Sequence, residues 1–119
     1  MNKEDNVIIE YYRDQNLDAL RQNVINIYET FCSDLFPELK FDYTNWHPEQ
    51  YEQFNDTWKL IKMMERMGYH SYYNDSVLYT SKFRSYDGLA DKIFSGDGLS
   101  FNQAVCNCFV NYGSQYKSE

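Results

Sequence analysis

Apolar positions along this 119-residue chain change their spacing from helical to alternating and back, and those changes mark out its elements. Between Asp5 and Arg13 a compact burst of Val7, Ile8, Ile9, Tyr11 and Tyr12 reads as a short helix, with a strand as the alternative. Beyond Asn16, a residue suited to an N-cap, Leu17, Leu20, Val24, Ile27, Tyr28, Phe31 and Leu35 recur at steps of three and four. This is the period of an apolar stripe on an α-helix, and Pro37 stops it. Phe41-Asp42-Tyr43 reads as loop or extended chain. A long helix is then predicted from Thr44 or Asn45 to about Met67, with Pro48, Glu49 and Glu52 in its first turns and Gly68 as its terminator. Its buried side draws on Tyr51, Phe54, Trp58, Ile61, Met64 and Met67.

From Tyr69 the period becomes two. Tyr69, Ser71 and Tyr73, then Val77, Tyr79, Ser81 and Phe83, alternate around Asn74-Asp75, whose residue types favour a tight turn, and the pattern predicts a β-hairpin. Leu89 and Ile93 share one face of a short predicted helix, and Ser95-Gly96-Asp97-Gly98 reads as a loop. Ser100-Phe101-Asn102-Gln103 has the capping-box form. Behind it Phe101, Ala104, Val105, Cys108, Phe109 and Tyr112 keep the helical period without a miss.

The elements amount to one α+β domain in which helices pack on a small antiparallel β-sheet, the hairpin of about residues 69–83, behind an N-terminal helical extension. Residues 1–42 form the extension and residues 45–112 a helix–hairpin–helix core. At this length a chain buries enough surface to fold without metal or disulfide.

Charge changes the picture from fold to function. Residues 1–57 hold twelve acids against four bases, a net of −8, and residues 58–119 hold six acids against seven bases, a net of +1. With 43% hydrophobic and 18% aromatic residues the chain is too rich in core formers for a disordered acidic tail. Its net charge of −7 argues against direct nucleic-acid binding, which needs clustered Lys and Arg. The excess favours a basic protein partner or imitation of a nucleic acid, and it also reads simply as a solubilising exterior. The candidate partner-facing acids are Glu4, Asp5, Glu10, Asp14, Asp18, Asp34, Glu38 and Asp42. Glu10, Asp14 and Asp18 stand at steps of four, so a continuous helix would stack three like charges unless it breaks at Asn16.

Other chemistry is sparse. Lys59, Lys62 and Arg66 form a basic line that, with hairpin tyrosines Tyr72 and Tyr79, is a candidate nucleotide site or else a solvated helix face. His47 and His70 lie near the two ends of the long predicted helix, more than about 30 Å apart if it is continuous, so no shared catalytic or metal role is expected. Cys106 and Cys108 point to different sides of a helix and are not read as a metal site, and three cysteines fit a reducing compartment. Sequence motifs of phosphate loops, dinucleotide folds, zinc proteases or serine hydrolases do not occur, so neither an enzyme nor a cofactor is expected. No apolar run reaches membrane-span length and the first residues are not those of a signal peptide, so a cytoplasmic location is expected.

From Asn45 onward the order is a helix opening with Trp46, the string Lys62-Met63-Met64-Glu65-Arg66-Met67-Gly68-Tyr69, a hairpin, and a helix ending in Phe109-Val110-Asn111-Tyr112. Over about residues 45–112 this resembles the small phage "ABA sandwich" proteins. The resemblance implies a phage or prophage origin and a sheet covered by helices, and transfers no catalytic residues. Charge and resemblance together lead to the expectation of a phage-type protein in the host cytoplasm that inhibits a nucleic-acid-handling defence protein, in the manner of an anti-CRISPR, by occupying its basic surface. The alternatives are a nucleotide-signal sponge and a self-assembling structural phage protein, and a homodimer is left open.

Overall fold

A computed structural model of the chain describes residues 3–44, 46–48, 54–76, 78–87 and 92–117, the side chains of residues 3–5, 54–56, 116 and 117 aside. The sequence readings that concern Tyr51, Glu49, Glu52, Val77, Leu89 and the side chains of Glu4, Asp5 and Phe54 lie outside the described residues.

Helix α1 spans Lys3–Arg13 and helix α2 spans Leu17–Ile27. The chain breaks between them because the Asn16 side chain accepts the Ala19 backbone N–H at 3.1 Å and opens a new helix. A π-helical turn, Tyr28–Cys32, prolongs α2, with Ser33 N–H donating to the Tyr28 carbonyl at 2.9 Å. The wider turn rotates everything after it. Cys32 therefore faces the core, Phe31 is half-buried, and Leu35, expected on the apolar stripe, is exposed.

The segment after Cys32 returns across α2 and is clamped there. Arg21 donates from Nε to the Trp46 carbonyl at 2.8 Å and from Nη2 to the Tyr43 carbonyl at 2.6 Å. Phe41 and Trp46 are buried and their rings meet edge to face at 4.8 Å. This corrects the predicted helix start. Trp46 is not helical, because its carbonyl and that of Tyr43 are taken by Arg21 while its ring is drawn inward, and helix α3 spans Phe54–Arg66. On α3 the buried positions are Thr57, Leu60, Ile61, Met63 and Met64. Ile61 and Met64 match the predicted face, whereas Trp58 lies on its flank and is 48% exposed. Gly68, at φ +96°, ends the helix in the left-handed conformation that glycine adopts without strain.

Strands β1 (Tyr69–Asp75), β2 (Tyr79–Ser85) and β3 (Ile93–Gly98) form an antiparallel meander in the order β1-β2-β3. Asn74 and Asp75 are not the turn. They pair with Thr80 and Tyr79, inside the ladder of β1 and β2. Nor is Ser95-Gly96-Asp97-Gly98 a loop, since it pairs with residues 79–82 of β2. Its glycines serve close packing. A Cβ on Gly96 would lie 2.6 Å from the Asn107 carbonyl carbon and 2.7 Å from the Ala104 oxygen, so the backbone of helix α4, Phe101–Lys117, rests directly on β3.

Helix α4 is capped as its sequence predicts. Gln103 N–H donates to Ser100 Oγ at 3.1 Å, and the Gln103 side chain returns to the backbone N–H of Leu99 at 2.7 Å. Ala104, Val105, Cys108, Phe109 and Tyr112 are buried on the expected stripe, and Asn102, Gln103 and Cys106 are buried beside them, because α2, α3 and two strands all pack on this helix. Thr57 donates to the Asn102 side-chain oxygen at 2.7 Å, which joins α3 to α4 inside the core. Among the described residues one hydrophobic cluster runs from Leu20, Val24 and Ile27 through Met63 and Phe83 to Phe109. The opposite face of the sheet is open, exposing His70, Tyr72, Lys82, Arg84 and Ser95. Among the described residues no helix is long and apolar enough to cross a membrane.

Candidate binding surfaces

The acids predicted to face a partner are at the surface wherever their side chains are described. Glu10 and Asp14 are exposed at the end of α1, and Asp18 is exposed in the first turn of α2, where the helix dipole favours it. The helix break separates Asp18 from the other two, so the stack of three like charges does not form on one helix. Asp18 pairs with His47 at 2.9 Å, and Glu38 pairs with Arg66. Asp34 is exposed, and Asp42 accepts the Thr44 backbone N–H at 3.1 Å, a hydrogen bond that holds its carboxyl below the usual range. Among the described residues no basic side chain lies in ion-pair reach of Glu10, Asp14 or Asp34.

The basic line is largely engaged in holding the fold. Arg66 meets Glu38, and Lys59 donates from Nζ to the Lys40 carbonyl at 2.9 Å, so both tie α3 to the segment after α2. Lys62 is exposed. Tyr72 and Tyr79 fall on opposite faces of the sheet, as the register Tyr72↔Lys82 and Asp75↔Tyr79 requires. The structure therefore does not assemble Lys59, Lys62, Arg66, Tyr72 and Tyr79 into one nucleotide site. Tyr72 instead shares the open sheet face with Lys82 and Arg84, over a shallow depression of about 420 Å³.

A site that the sequence reading did not find lies at the hairpin end of the covered face. There the strands overrun the start of α4, and Trp58, Tyr73, Tyr79 and Phe101 converge around a cleft of about 490 Å³, with Asp75, Ser100 and Asn102 completing its wall. The rings follow one another. Trp58 and Phe101 have centroids 5.7 Å apart, Phe101 and Tyr73 meet edge to face at 5.0 Å, and Tyr73 and Tyr79 stack at 5.8 Å. Burial, followed by the neighbouring Tyr79 and Asp75, raises the Tyr73 hydroxyl above its ordinary range. The sequence signal was present in part: alternation puts Tyr73 and Tyr79 on one face, but their meeting with Trp58 spans residues distant along the chain.

Among the described residues no group of three or more His, Cys, Asp or Glu could hold a metal ion. The fold and its surfaces define a small α+β protein with an acidic helical edge and an aromatic cleft. Comparison with protein families, with curated proteins and with solved structures finds no match to this chain.

Proposed function

We propose that this protein is a small acidic binding protein that acts by occupying a positively charged surface of another protein. The observation that carries the reading is the set of exposed carboxylates Glu10, Asp14 and Asp34, which the fold leaves without cationic partners among the described residues while it binds Glu38 and Asp18 internally. Charges kept free in this way steer a basic partner and set specificity more than they stabilise the fold. The partner class that fits is a nucleic-acid-handling protein, whose basic groove is built for phosphates. With the phage origin that the sequence resemblance implies, that partner is a host defence nuclease component, such as a CRISPR effector, blocked sterically and by imitation of its substrate's charge.

Affinity capture from bacterial lysate tests this. A basic nucleic-acid-handling protein should be retained at about 0.05 M salt and released at about 0.5 M, since exposed charges are screened within a few ångströms at the higher value. The triple variant Glu10→Lys, Asp14→Lys, Asp34→Lys should lose it. Equal retention by that variant overturns the proposal.

A further inference from the structure

We propose that the cleft formed by Trp58, Tyr73, Tyr79 and Phe101 receives one cationic side chain, an arginine guanidinium of the partner protein, with Asp75 as its counter-charge. The inference rests on the basic-partner reading above and names where such a partner is anchored.

Three observations lead here. Trp58 and Tyr73 are 48% and 47% exposed, although the core takes up rings as large as Trp46 and Phe41 completely. Large aromatics held half in solvent, side by side and with few rotatable bonds, are what interface anchors are made of. Second, the four rings surround an open volume rather than filling it. Aromatic faces carry negative potential, so a cation placed within about 6 Å of several ring centroids is attracted by each. Third, the charges that face the cleft favour a cation on balance. Asp75 contributes a full negative charge from the end of β1. Ser100 and Asn102 bring the start of α4, whose dipole opposes with roughly half a positive charge that backbone and Ser100 hydroxyl contacts already share. Among the described residues no lysine or arginine lines the cleft.

Arginine is favoured over lysine on physical grounds. Its flat guanidinium stacks on aromatic faces, presents paired donors to a carboxylate, and gives up its hydration more readily than an ammonium. An apolar plug would cover Asp75 without compensating it, at a cost in desolvation. An anion would meet both the ring faces and Asp75.

The test uses the full chain and three small probes: N-acetyl-arginine methylamide, its neutral isostere N-acetyl-citrulline methylamide, and tetramethylammonium. Trp58 fluorescence reports occupancy, against the constant background of buried Trp46. Arginine amide should shift the emission saturably, with citrulline amide weaker by about tenfold or more, as loss of a cation–π contact and a carboxylate partner implies. Asp75→Asn, an exposed position, should bring arginine amide close to the citrulline value. The variant Glu10→Lys, Asp14→Lys, Asp34→Lys should keep arginine binding unchanged. Equal affinity for arginine and citrulline amides, insensitivity to Asp75→Asn, or tighter binding of tetramethylammonium than of arginine amide each overturns the inference. Salt-sensitive capture of a partner without any arginine binding overturns this anchor and leaves the wider reading in place. Arginine binding without capture upholds the cleft and removes the acidic docking surface.

Discussion

Cys32, Cys106 and Cys108 are free thiols shut inside the core, and that placement makes them sensors of integrity rather than reagents. Burial pushes the Cys32 thiol up to about 11 and the Cys108 thiol up to about 12, and raises Cys106 further still. Cys108 also donates to the Phe94 carbonyl at 3.3 Å. Unfolded thiols ionise near pH 8.5 and these do not, so their contribution to stability is complete below about pH 8.5 and is lost as pH rises towards 11 or 12. Each thiol should remove about 1.4 kcal/mol per pH unit within that window. Urea unfolding measured from pH 7.5 to 10.5 should show the decline, and Cys32→Ala should make it shallower; an unchanged slope in that variant would exclude the thiol as a cause. At pH 8 iodoacetamide should label the native protein only as fast as it unfolds. Cysteine number was legible in the sequence, but reactivity depends on which side of each helix meets the core, and at Cys32 the π-helical turn decided that.

At the scale of elements, the glycines of β3 and α4 separate two kinds of close approach. At Gly96 the neighbours are main-chain atoms of α4, which no rotamer change can move. At Gly113 the neighbours are side-chain atoms of the buried Ile27 on α2, which a rotamer change or a small repacking of the core can shift. Gly96→Ala is therefore expected to cost more than about 4 kcal/mol, enough to abolish the cooperative thermal transition, whereas Gly113→Ala should cost about 1–3 kcal/mol and leave one. Circular dichroism melts distinguish the two, and a Gly96→Ala protein as stable as the parent would contradict the packing described. The same strand shows how its edge is managed. Asn107 and Asn111, four residues apart on α4, donate to the carbonyls of Asp97 at 2.9 Å and Ser95 at 2.5 Å, two residues apart on β3. Side-chain amides thus occupy edge carbonyls that would otherwise offer themselves to another chain. Helix α4 was readable because capping and stripe are local features, whereas strand β3 was not, because glycine there answers to a helix that follows it in the chain.

For the whole molecule, the acidic half and the near-neutral half share one core. Leu20, Val24, Ile27, Tyr28, Cys32 and Phe41 from the first half belong to the same cluster as Phe83, Val105 and Phe109 from the second. At about 1.5–3 kcal/mol for each large apolar side chain buried, losing the first group removes as much as the whole 5–15 kcal/mol by which a domain of this size is stable. A fragment of residues 43–119 should consequently fail to fold cooperatively. Removal of residues 1–13 should be milder, about 1–3 kcal/mol, because α1 is held chiefly through the Tyr12 carbonyl, which accepts from Gln103 at 2.8 Å, and the Tyr12 hydroxyl near Asp97. Thermal melts of the two truncations check this; a stable, cooperative 43–119 fragment would show the first half to be an appendage. The acidic surface is thus tied to the core only in part: Asp18 stands on α2, whose inner face helps build it, whereas Glu10 stands on α1, none of whose described residues belongs to the cluster.

What the sequence determined by itself was whatever neighbours along the chain decide. The helical periods of α2 and α4, the Asn16 cap, the Ser100–Gln103 box, the glycine stop at Gly68 and the alternation of the hairpin all depend on residues within a few positions of one another. The α+β class followed from these. Tertiary structure alone decided that Trp46 joins the core outside any helix, that a glycine-rich stretch is an edge strand, that Arg66 is bound to Glu38, and that Trp58, Tyr73, Tyr79 and Phe101 surround one cleft beside Asp75. Each of those outcomes is a contact between residues far apart in the chain, set by packing and charge compensation across the whole fold, and local pattern carries no record of it.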